Sequence, residues 1–504
     1  MKFIDKVLDS ISMYRLTLYY LLFLLAGAMV MGATGYISYK PLAIALSAGY
    51  LSLICYVSNK IFAYAYEVPA AIESPLITAL ILSLIITPLA SSQGLIFLTA
   101  AGGLAMASKY ILTINKKHIF NPAAVAVALT AIGAGDTASW WVSSSHLLPL
   151  VVLGGVLLVR KIQRWQMVLS FLAATLIATA VYTLIGGGGV SAALHRALLH
   201  SPLFFLAFVM LIEPLTSPAV KLGQRWYGAL AGILLPPQVH IFSLYSTPEL
   251  ALVASNIFSY LITPKVKLLP KLAQKHKLAP DVVDFVFSNN QKFSYKPGQY
   301  TEWTLPHAGA DARGNRRYFT LASSPTEDNL RLGVKFYSQS SSFKQAMLVM
   351  DNDTPIAVAQ LGGDFTMPED KAEKLAFIAG GIGITPFRSM TKYLLDTNDN
   401  RSVSMLYSAK NANELVYTNV FEVARRKLGH SVTYVLTGQS ATLPAGAKPG
   451  PINAKLIKAQ IPDYAERTFY ISGTHTMVKA MTDILRGLGV ARSRIKTDFF
   501  PGYV

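Results

Sequence analysis

The chain has 504 residues, of which 52% are hydrophobic and 14% charged, with a mean hydropathy of +0.40 and a formal net charge of +18 at pH 7. This composition is too apolar for an ordinary soluble protein of this length. The single cysteine, Cys55, lies inside an apolar run, which excludes a disulfide framework and an iron–sulfur cluster built from four cysteines of this chain.

The first half of the chain is a series of apolar segments, which predicts a polytopic α-helical membrane domain of about ten helices over residues 1–263. Several segments approach the roughly 20 residues that a helix needs to cross a bilayer. The segments are 16–35, 41–58, 74–91, 93–108, 120–135, 146–160, 166–185, 202–218, 227–245 and 249–263. The segment 120–135 is short, which indicates either a broken helix that lines a cavity or an inexact boundary.

The basic residues between these segments predict the orientation of the chain. Predicted loops on one side carry Lys2, Lys6, Arg15, Lys60, Lys109, Lys116, Lys117, Arg160, Lys161, Arg164, Lys221 and Arg225. The other side carries only Lys40 and Arg196. Because basic loops stay in the cytoplasm, we expect a multi-pass protein of the cell (inner) membrane with both termini cytoplasmic. This uneven distribution of basic loops accounts for much of the net charge of +18. Membrane lipid is therefore an expected partner, and nucleic acid is not.

Tryptophans fall at the predicted ends of apolar segments, where an interfacial aromatic belt would place them. They are Trp140, Trp141, Trp165 and Trp226.

Polar residues inside the apolar half are candidates for a membrane-domain site. Glu213 lies late in the eighth segment, where a carboxylate has to face a partner or water. It could instead be an interfacial group that pairs with Lys221 or Arg225. Asn121 precedes Pro122 and would cap a helix. The candidates are Asn121, Glu213, Thr216 and Ser217.

Four stretches of this half carry a family resemblance. They are Glu73-Ser74-Pro75-Leu76-Ile77-Thr78-Ala79-Leu80, Asn121-Pro122-Ala123, and Glu213-Pro214-Leu215-Thr216-Ser217-Pro218 with Gly223-Gln224-Arg225. Over residues 70–235 the chain resembles the RnfD/NqrB membrane-subunit family. The resemblance implies a flavin-carrying subunit of an ion-translocating electron-transfer complex.

One departure from that family concerns its covalent cofactor. Members usually attach FMN to the Thr of a Ser-Gly-Ala-Thr segment shortly before the eighth helix. This chain has no Thr in the corresponding stretch 186–195. Covalent FMN is therefore not expected, whereas a non-covalent second flavin or a quinone between the helices stays open.

A transmembrane haem, as in ferric-reductase-like proteins, is the rival interpretation of the apolar half. It needs paired axial histidines on facing helices. The histidines here are His118, His146, His195, His200 and His240. All but His240 fall in predicted loops or at segment ends, and no predicted helix carries a pair spaced for two haems. We expect no metal site.

From residue 264 the composition becomes that of a soluble protein, after a basic stretch that extends to Lys277 and suits anionic headgroups. Short alternating segments separated by turns predict an antiparallel β-barrel over residues 264–368. Its strands are predicted at Val282–Phe287, Tyr300–Leu305, Tyr318–Ala322, Leu330–Tyr337 and Ile356–Gln360, with a first strand inside the basic stretch.

Two motifs of this predicted barrel suit a flavin nucleotide. Arg317-Tyr318-Phe319-Thr320 combines a guanidinium for a pyrophosphate, a flat aromatic face and a hydroxyl. Ser340-Ser341-Ser342 predicts a helix start, where backbone N–H groups meet phosphate.

After residue 369 strands alternate with helices, which predicts an α/β doubly wound parallel sheet over residues 369–504. Strands are predicted at Leu375–Ala379, Val403–Tyr407, Val432–Leu436 and Thr468–Ile471, and helices at Pro386–Leu395, Thr418–Lys427 and Met477–Leu488. Ligands are expected at the carboxyl ends of the strands. The candidates there are Gly380, Gly381, Gly383, Ile384, Thr385, Pro386, Ser408, Lys410, Ser472 and Gly473.

The order of these motifs resembles the ferredoxin–NADP reductase superfamily over residues 265–504. The resemblance implies FAD in the barrel, with the Thr320 hydroxyl near the flavin N5, and NADH or NADPH at the sheet edge. Many relatives have Cys where Ser472 stands, and many place a terminal aromatic against the flavin. The aromatic candidates are Phe499, Phe500 and Tyr503. Thr320, Ser472 and Tyr503 are the catalytic candidates.

The two resemblances imply a membrane-bound, FAD-dependent NAD(P)H oxidoreductase of electron transport. Only Lys410 is placed to hold a 2′-phosphate, which favours NADH. The acceptor is an unidentified flavin, quinone or partner subunit in or near the membrane domain. A redox-driven Na⁺/H⁺ translocating subunit and a ferric-reductase-like haem enzyme remain the alternatives, together with helices that serve only as an anchor.

Overall fold

The structure is a computed structural model that describes residues 8, 11–66, 73–89, 92–114, 117–242, 244–263, 268–289, 291, 293–311, 314–338, 340–438 and 446–498. The chain divides into two compact units, Met1–Lys265 and Val266–Val504. The boundary agrees with the change of composition near residue 264.

The first unit is helical. Its described helices are α1 Met13–Ala33, α2 Pro41–Ala65, α3 Glu73–Ile85, α4 Ser92–Ile111, α5 Pro122–Ala134, α6 Leu148–Ile162, α7 Trp165–Ile185, α8 Val190–Leu199, α9 Lys221–Leu234 and α10 Pro248–Ile262. A helical turn at Leu203–Phe205 continues as a π-helix over Leu206–Met210. Short hairpins pair Thr113–Ile114 (β1) with Lys117–His118 (β2), and His240–Ile241 (β3) with Leu244–Tyr245 (β4).

Four described helices are long and apolar enough to cross a membrane. They are Met13–Ala33, Pro41–Ala65, Gln93–Ile111 and Trp165–Ile185. A bent pair, Val190–Leu199 with Leu203–Met210, is a fifth if its two parts form one span. Ten crossings therefore stay a prediction.

Two boundaries in this unit differ from the sequence-based expectation. A helix occupies Val190–Leu199, where a loop was expected, because apolar residues recur there at helical spacing. The ninth predicted segment ends as a helix at Leu234, since Pro236 and Pro237 follow it. His240 consequently lies in a hairpin and not in a helix, so it offers no haem ligand on a facing helix.

Trp140 and Trp141 are buried within the unit, so neither ring lies on its surface, and their position in an interfacial belt stays a prediction. The Trp140 indole N–H donates to Glu249 at 3.2 Å, and the Trp141 indole N–H donates to the Ser83 carbonyl at 3.0 Å. Each ring thus has a polar partner inside the unit, which makes burial favourable. Trp226 is 61% exposed, as an interfacial residue would be.

The second unit begins with two antiparallel sheets of three strands. One has the order β5 Lys271–Ala279, β6 Val282–Ser288, β9 Leu330–Lys335, and the other β10 Ala357–Gly362, β7 Tyr300–Thr304, β8 Arg316–Thr320. Their apolar faces meet in one core around Phe285, Phe287 and Trp303. Helix α11, Ser342–Val349, adds Phe343 and Met347 to that core.

A six-stranded parallel sheet follows. Its order is β14 Lys448–Pro449, β13 Ser431–Leu436, β12 Val403–Ala409, β11 Leu375–Gly380, β15 Thr468–Ser472, β16 Ile495–Asp498. Helices α12 Thr385–Asp396, α13 Thr418–Leu428, α14 Ala454–Gln460 and α15 His475–Gly487 connect the strands. The predicted strands and helices are all present, whereas β14, β16 and α14 were not predicted. A separate apolar cluster covers each face of the parallel sheet. Because the central strands are buried on both faces, their sequences are continuous apolar runs.

Candidate functional site

The glycine-rich turn lies at the carboxyl end of the central strand β11. After Gly380 the chain makes one 3₁₀ turn, Gly381–Ile384, and then begins α12. A Cβ on Gly383 would lie 2.5 Å from the Ser472 carbonyl oxygen, and Gly381 has a φ of 52°. The backbone therefore comes so close to the next strand that only glycine fits, and the first N–H groups of α12 are left at this edge.

Neighbouring strand ends bring the other predicted residues to the same edge. Strand β11 is parallel to β12 and β15, with Gly380 opposite Ser408 and Ala379 opposite Ser472. A Cβ on Gly473 would lie 3.4 Å from the Gly380 Cα, so these two strand ends nearly touch. The three groups of candidates that were predicted at separate strand ends thus line one edge of the sheet.

The sequence reasoning missed Asp498. It ends β16 directly opposite Ser472 in the strand register. Burial raises the pKa of Asp498 to about 7, and its Oδ2 has no hydrogen-bond partner in the part of the chain that the structure describes. A single acidic residue after a short strand gave no signal of its own. Phe499, Phe500 and Tyr503 lie outside the described residues.

Arg317 and the start of α11 form a second cluster of donors. Arg317 is buried, its guanidinium lies 5.2 Å from the Phe343 ring centroid, and its Nη2 lies 3.4 Å from Asp311 Oδ1. The Ser342 backbone N–H donates to Asp311 Oδ2 at 3.2 Å, and Ser341 caps the helix by accepting from the Lys344 N–H. A carboxylate thus lies between a guanidinium and a helix N-terminus, as an anion-binding site requires.

The remaining residues of the motif alternate across β8. Tyr318 lies on one face, where its hydroxyl donates to Glu302 at 2.8 Å. Thr320 lies on that same face, and its buried Oγ1 has no partner among the described residues. Phe319 lies on the opposite face with Arg317 and packs near Phe343, with ring centroids 6.0 Å apart. The orphaned hydroxyl beside an aromatic face fits a flavin ring.

Glu213 in the first unit lies in a cluster of polar side chains. Its Oε2 accepts from Asn121 Nδ2 at 3.0 Å and from Thr216 Oγ1 at 3.3 Å, and its Oε1 lies 3.6 Å from His118 Nε2. The Ser217 hydroxyl donates to the Glu213 carbonyl at 2.5 Å. All four predicted membrane-domain candidates therefore lie together. The described partners of the carboxylate are Asn121, Thr216 and His118.

Further buried polar groups extend this cluster. Asn256 accepts from the Asn121 backbone N–H at 2.8 Å and donates to the Tyr227 hydroxyl at 2.8 Å. Arg164 donates to Ser217 Oγ at 2.6 Å. Sequence reasoning missed Asn256 and Arg164, because their partners lie far away along the chain.

A cavity opens beside Glu213, and its empty space of about 690 Å³ includes solvent at its open side. Its walls come from the first turns of α1, α3 and α5 and from the ends of α6 and the π-helix. The lining residues are Met13, Tyr14, Thr17, Ser74, Ile77, Thr78, Ile81, Asn121, Pro122, Ala123, Leu158, Ile162, Val209, Ile212, Glu213 and Pro214. Lys109 lies behind this wall and donates to Ser74 Oγ and Thr78 Oγ1, both at 3.0 Å. Most of the lining residues are apolar, and Asn121 and Glu213 are among the polar ones.

Comparison with known families agrees with this division into two units. Residues 377–483 match the oxidoreductase NAD-binding domain. Residues 141–263 match the NQR2, RnfD, RnfE family. Both resemblances that the sequence predicted are therefore confirmed, one in each unit.

Several curated relatives each match less than half of the chain. The glycine betaine monooxygenase reductase subunit of Chromohalobacter salexigens is 24% identical over 225 residues, 44% of this chain and 60% of the relative. The stachydrine N-demethylase reductase subunit Stc4 of Rhizobium meliloti is 27% identical, over 45% of this chain and 65% of the relative. The Oceanobacillus iheyensis flavohemoprotein is 24% identical, over 46% of this chain and 58% of the relative. The chain thus spans less than two thirds of these proteins.

Solved structures similar to part of the chain include an Amycolatopsis cytochrome P450 reductase, with a TM-score of 0.42 and 21% identity over 47% of this chain and 72% of that one. The FAD/NAD-binding domain of a nitric oxide dioxygenase from Vibrio cholerae has a TM-score of 0.42 and 20% identity over 46% of this chain and 98% of that one.

Proposed function

We propose that this protein is a membrane-bound, FAD-dependent NAD(P)H oxidoreductase that passes electrons to an acceptor in or near its helical unit. The observation that carries the proposal is the edge of the parallel sheet, where the turn Gly380–Ile384, Ser408 and Ser472 lie side by side. This edge lies within the region that matches the oxidoreductase NAD-binding domain. Reductase subunits among the relatives support the same reaction class.

In this proposal the antiparallel sheets, residues 264–368, hold FAD, and the parallel sheet, residues 369–504, holds the nicotinamide cofactor. Arg317 and the N–H groups at the start of α11 would bind the pyrophosphate, Tyr318 would lie along the flavin ring, and Thr320 would donate to it. FAD takes two electrons and a proton from NAD(P)H and can release the electrons one at a time. The protein orients the two rings and excludes water.

The nicotinamide dinucleotide would lie across the carboxyl ends of β11, β12 and β15. The turn Gly380–Thr385 and the start of α12 would receive its pyrophosphate, and Ser472 and Gly473 would lie beside the nicotinamide. Lys410 is exposed at the end of β12. One lysine without an accompanying arginine favours NADH over NADPH.

The cavity beside Glu213 is the proposed place of the membrane acceptor. Apolar walls with a carboxylate and an amide at one end suit the ring of a quinone or of a non-covalent flavin. A multi-pass arrangement in the cell membrane with both termini in the cytoplasm would put FAD and cytosolic NADH on the same side. The reductase subunit among the relatives also leaves room for a partner protein as acceptor.

Redox-driven translocation of Na⁺ or H⁺ is a second candidate function. It is favoured by the match to the NQR2, RnfD, RnfE family and by a carboxylate held by Asn121 and Thr216 within an apolar unit. Proteoliposomes that oxidise NADH with an added quinone but build no Na⁺ or H⁺ gradient would reject it.

Flavin analysis of the detergent-purified full chain tests the proposal. We expect about one FAD per chain and an absorbance that NADH bleaches without oxygen. A colourless protein that retains no added FAD would contradict the proposal, and a Soret band would favour the haem alternative.

A matched pair of variants tests the assigned FAD site. Arg317→Leu should lower the FAD content at least tenfold, because it removes the buried guanidinium. Arg425, which forms an exposed ion pair with Glu422 in α13, serves as the control, so Arg425→Leu should retain FAD. Equal FAD content in both variants would reject the assignment.

A further inference from the structure

We propose that Arg388 is a positioning residue for electron transfer between the nicotinamide and FAD. It fastens the first turns of α12, which would receive the dinucleotide, to the segment that follows the flavin motif. This inference rests on the proposed function and adds to it a residue that sets the distance between the two cofactor sites.

The Arg388 guanidinium donates hydrogen bonds to two residues of the connection between β8 and β9. Its Nη2 donates to Glu327 Oε1 at 2.9 Å, and its Nη1 donates to Glu327 Oε2 and, at 2.9 Å, to the Ala322 carbonyl oxygen. The guanidinium is only 5% exposed. Burial raises the pKa of Glu327, but the hydrogen bonds and charge of Arg388 outweigh it and hold that pKa below its ordinary value. The pair is therefore ionised at neutral pH.

A second set of contacts links the same two segments, the start of α12 and the connection between β8 and β9. These contacts, with those of Arg388, are called the joint below. The Ser389 hydroxyl donates to the Ser323 carbonyl oxygen at 2.5 Å, next to the contact that Arg388 makes. The Arg388 guanidinium lies 5.7 Å from the Tyr417 ring centroid, and the Tyr417 hydroxyl donates to Asp284 at 2.8 Å. A Cβ on Gly333 would lie 2.6 Å from that hydroxyl. The antiparallel sheets and the parallel-sheet part of this unit are therefore closely packed at these residues.

The joint lies between the two cofactor sites along the chain. On one side, Ala322 and Ser323 follow Thr320 with only Leu321 between, and the buried Thr320 hydroxyl has no partner among the described residues. On the other side, α12 begins at Thr385, directly after the glycine-rich turn. Any rotation of α12 against β8 would change the separation of the bound rings. Because a misplacement of about 1 Å can slow such a reaction about 100-fold, the joint controls the rate.

The test measures anaerobic flavin reduction by NADH in the full chain. Arg388→Met should retain FAD but reduce it at least tenfold more slowly at saturating NADH, with a weaker charge-transfer absorbance between nicotinamide and flavin. Arg388→Lys keeps the charge and should recover part of the rate. Ser389→Ala, which removes one hydrogen bond and no charge, should slow reduction about threefold.

The control is Arg425→Gln, which removes an exposed ion pair with Glu422 inside α13 and should reduce flavin at the wild-type rate. The proposal is overturned if Arg388→Lys and Ser389→Ala both reduce flavin at the wild-type rate. This criterion still applies if Arg388→Met does not fold. Loss of FAD in step with the rate would make Arg388 a structural residue and overturn it too. Failure of wild-type protein to bind or reduce FAD would instead reject the proposed function itself.

Discussion

Asp311 holds two of the donors that an anionic cofactor needs, the Arg317 guanidinium and the Ser342 backbone N–H. A phosphate that binds there has to displace this carboxylate or share its donors. The same contact shows that the donors converge on one point. Asp311 is therefore both a marker of the proposed site and a competitor for it.

Substitution of Asp311 by Asn should tighten FAD binding. A neutral amide competes less well for Arg317 and Ser342, and the loss of one charged contact is worth about 1 kcal/mol, or roughly fivefold in the dissociation constant. Titration of the FAD-free full chain with FAD, followed by quenching of flavin fluorescence, measures the change. Asp351→Asn, at the other end of α11, is the control. Weaker FAD binding in Asp311→Asn would show that the carboxylate shapes the site.

Asp498 should make stability depend on pH. Its pKa is raised to about 7 in the folded protein, from about 3.9 when unfolded, so the folded state binds the extra proton between these values. The stabilisation is complete below pH 4, falls as the pH rises, and is lost above pH 7.

Asp498→Asn should remove this dependence, and the variant should gain stability relative to wild type at pH 8. The difference is on the order of 2–4 kcal/mol, as a shift of about three units implies. Thermal unfolding of both proteins from pH 5 to pH 8 gives the measurement. Parallel curves across that range would show that Asp498 titrates normally.

At the scale of elements, the glycine-rich turn depends on close backbone contact between β11 and β15. A Cβ on Gly383 would lie 2.5 Å from the Ser472 carbonyl oxygen and 2.7 Å from the Gly473 nitrogen, which are backbone atoms that cannot rotate away. The turn and the strand end therefore have to shift together if a side chain is added.

Gly383→Ala should destabilise the protein by about 1–3 kcal/mol and raise the KM for NADH at least tenfold, because it pushes the two strand ends apart. Gly487→Ala is the matched control, since a Cβ there meets nothing within 4 Å and the position is helical. That variant should be more stable by about 0.5–1 kcal/mol. An unchanged KM in Gly383→Ala would mean that the dinucleotide lies elsewhere.

At the scale of the whole molecule, each unit carries its own candidate site. Residues of the second unit would take electrons from NADH, and the cluster around Glu213 in the first unit would serve the acceptor. The two activities can therefore be separated by assays with different acceptors.

Glu213→Gln should leave NADH–ferricyanide activity unchanged and slow NADH–quinone activity at least tenfold. Ferricyanide takes electrons at the flavin, whereas the substitution removes the charge that Asn121 and Thr216 hold. Glu249→Gln is the control, because that buried carboxylate pairs with Trp140 away from the cavity lining. An equal loss of both activities would place Glu213 in the folding of the unit and not in electron transfer.

The sequence alone predicted a change of domain near residue 264, the apolar helices, the alternation of strands with helices, and the order of the strand-end motifs. These features depend on local periodicity, on turn residues and on composition, which a single sequence displays. It also predicted that Asn121, Glu213, Thr216 and Ser217 belong to a site in the membrane domain, because polar groups in an apolar segment need partners.

The partners of individual polar side chains are visible only in the folded protein. The sequence does not indicate that Asp311 reaches the start of α11, that Arg388 pairs with Glu327, or that Trp140 turns inward to Glu249. Each of these contacts joins residues from different elements. Their stability comes from the packing of whole elements and from removal of polar groups from water, and neither can be read from neighbours along the chain.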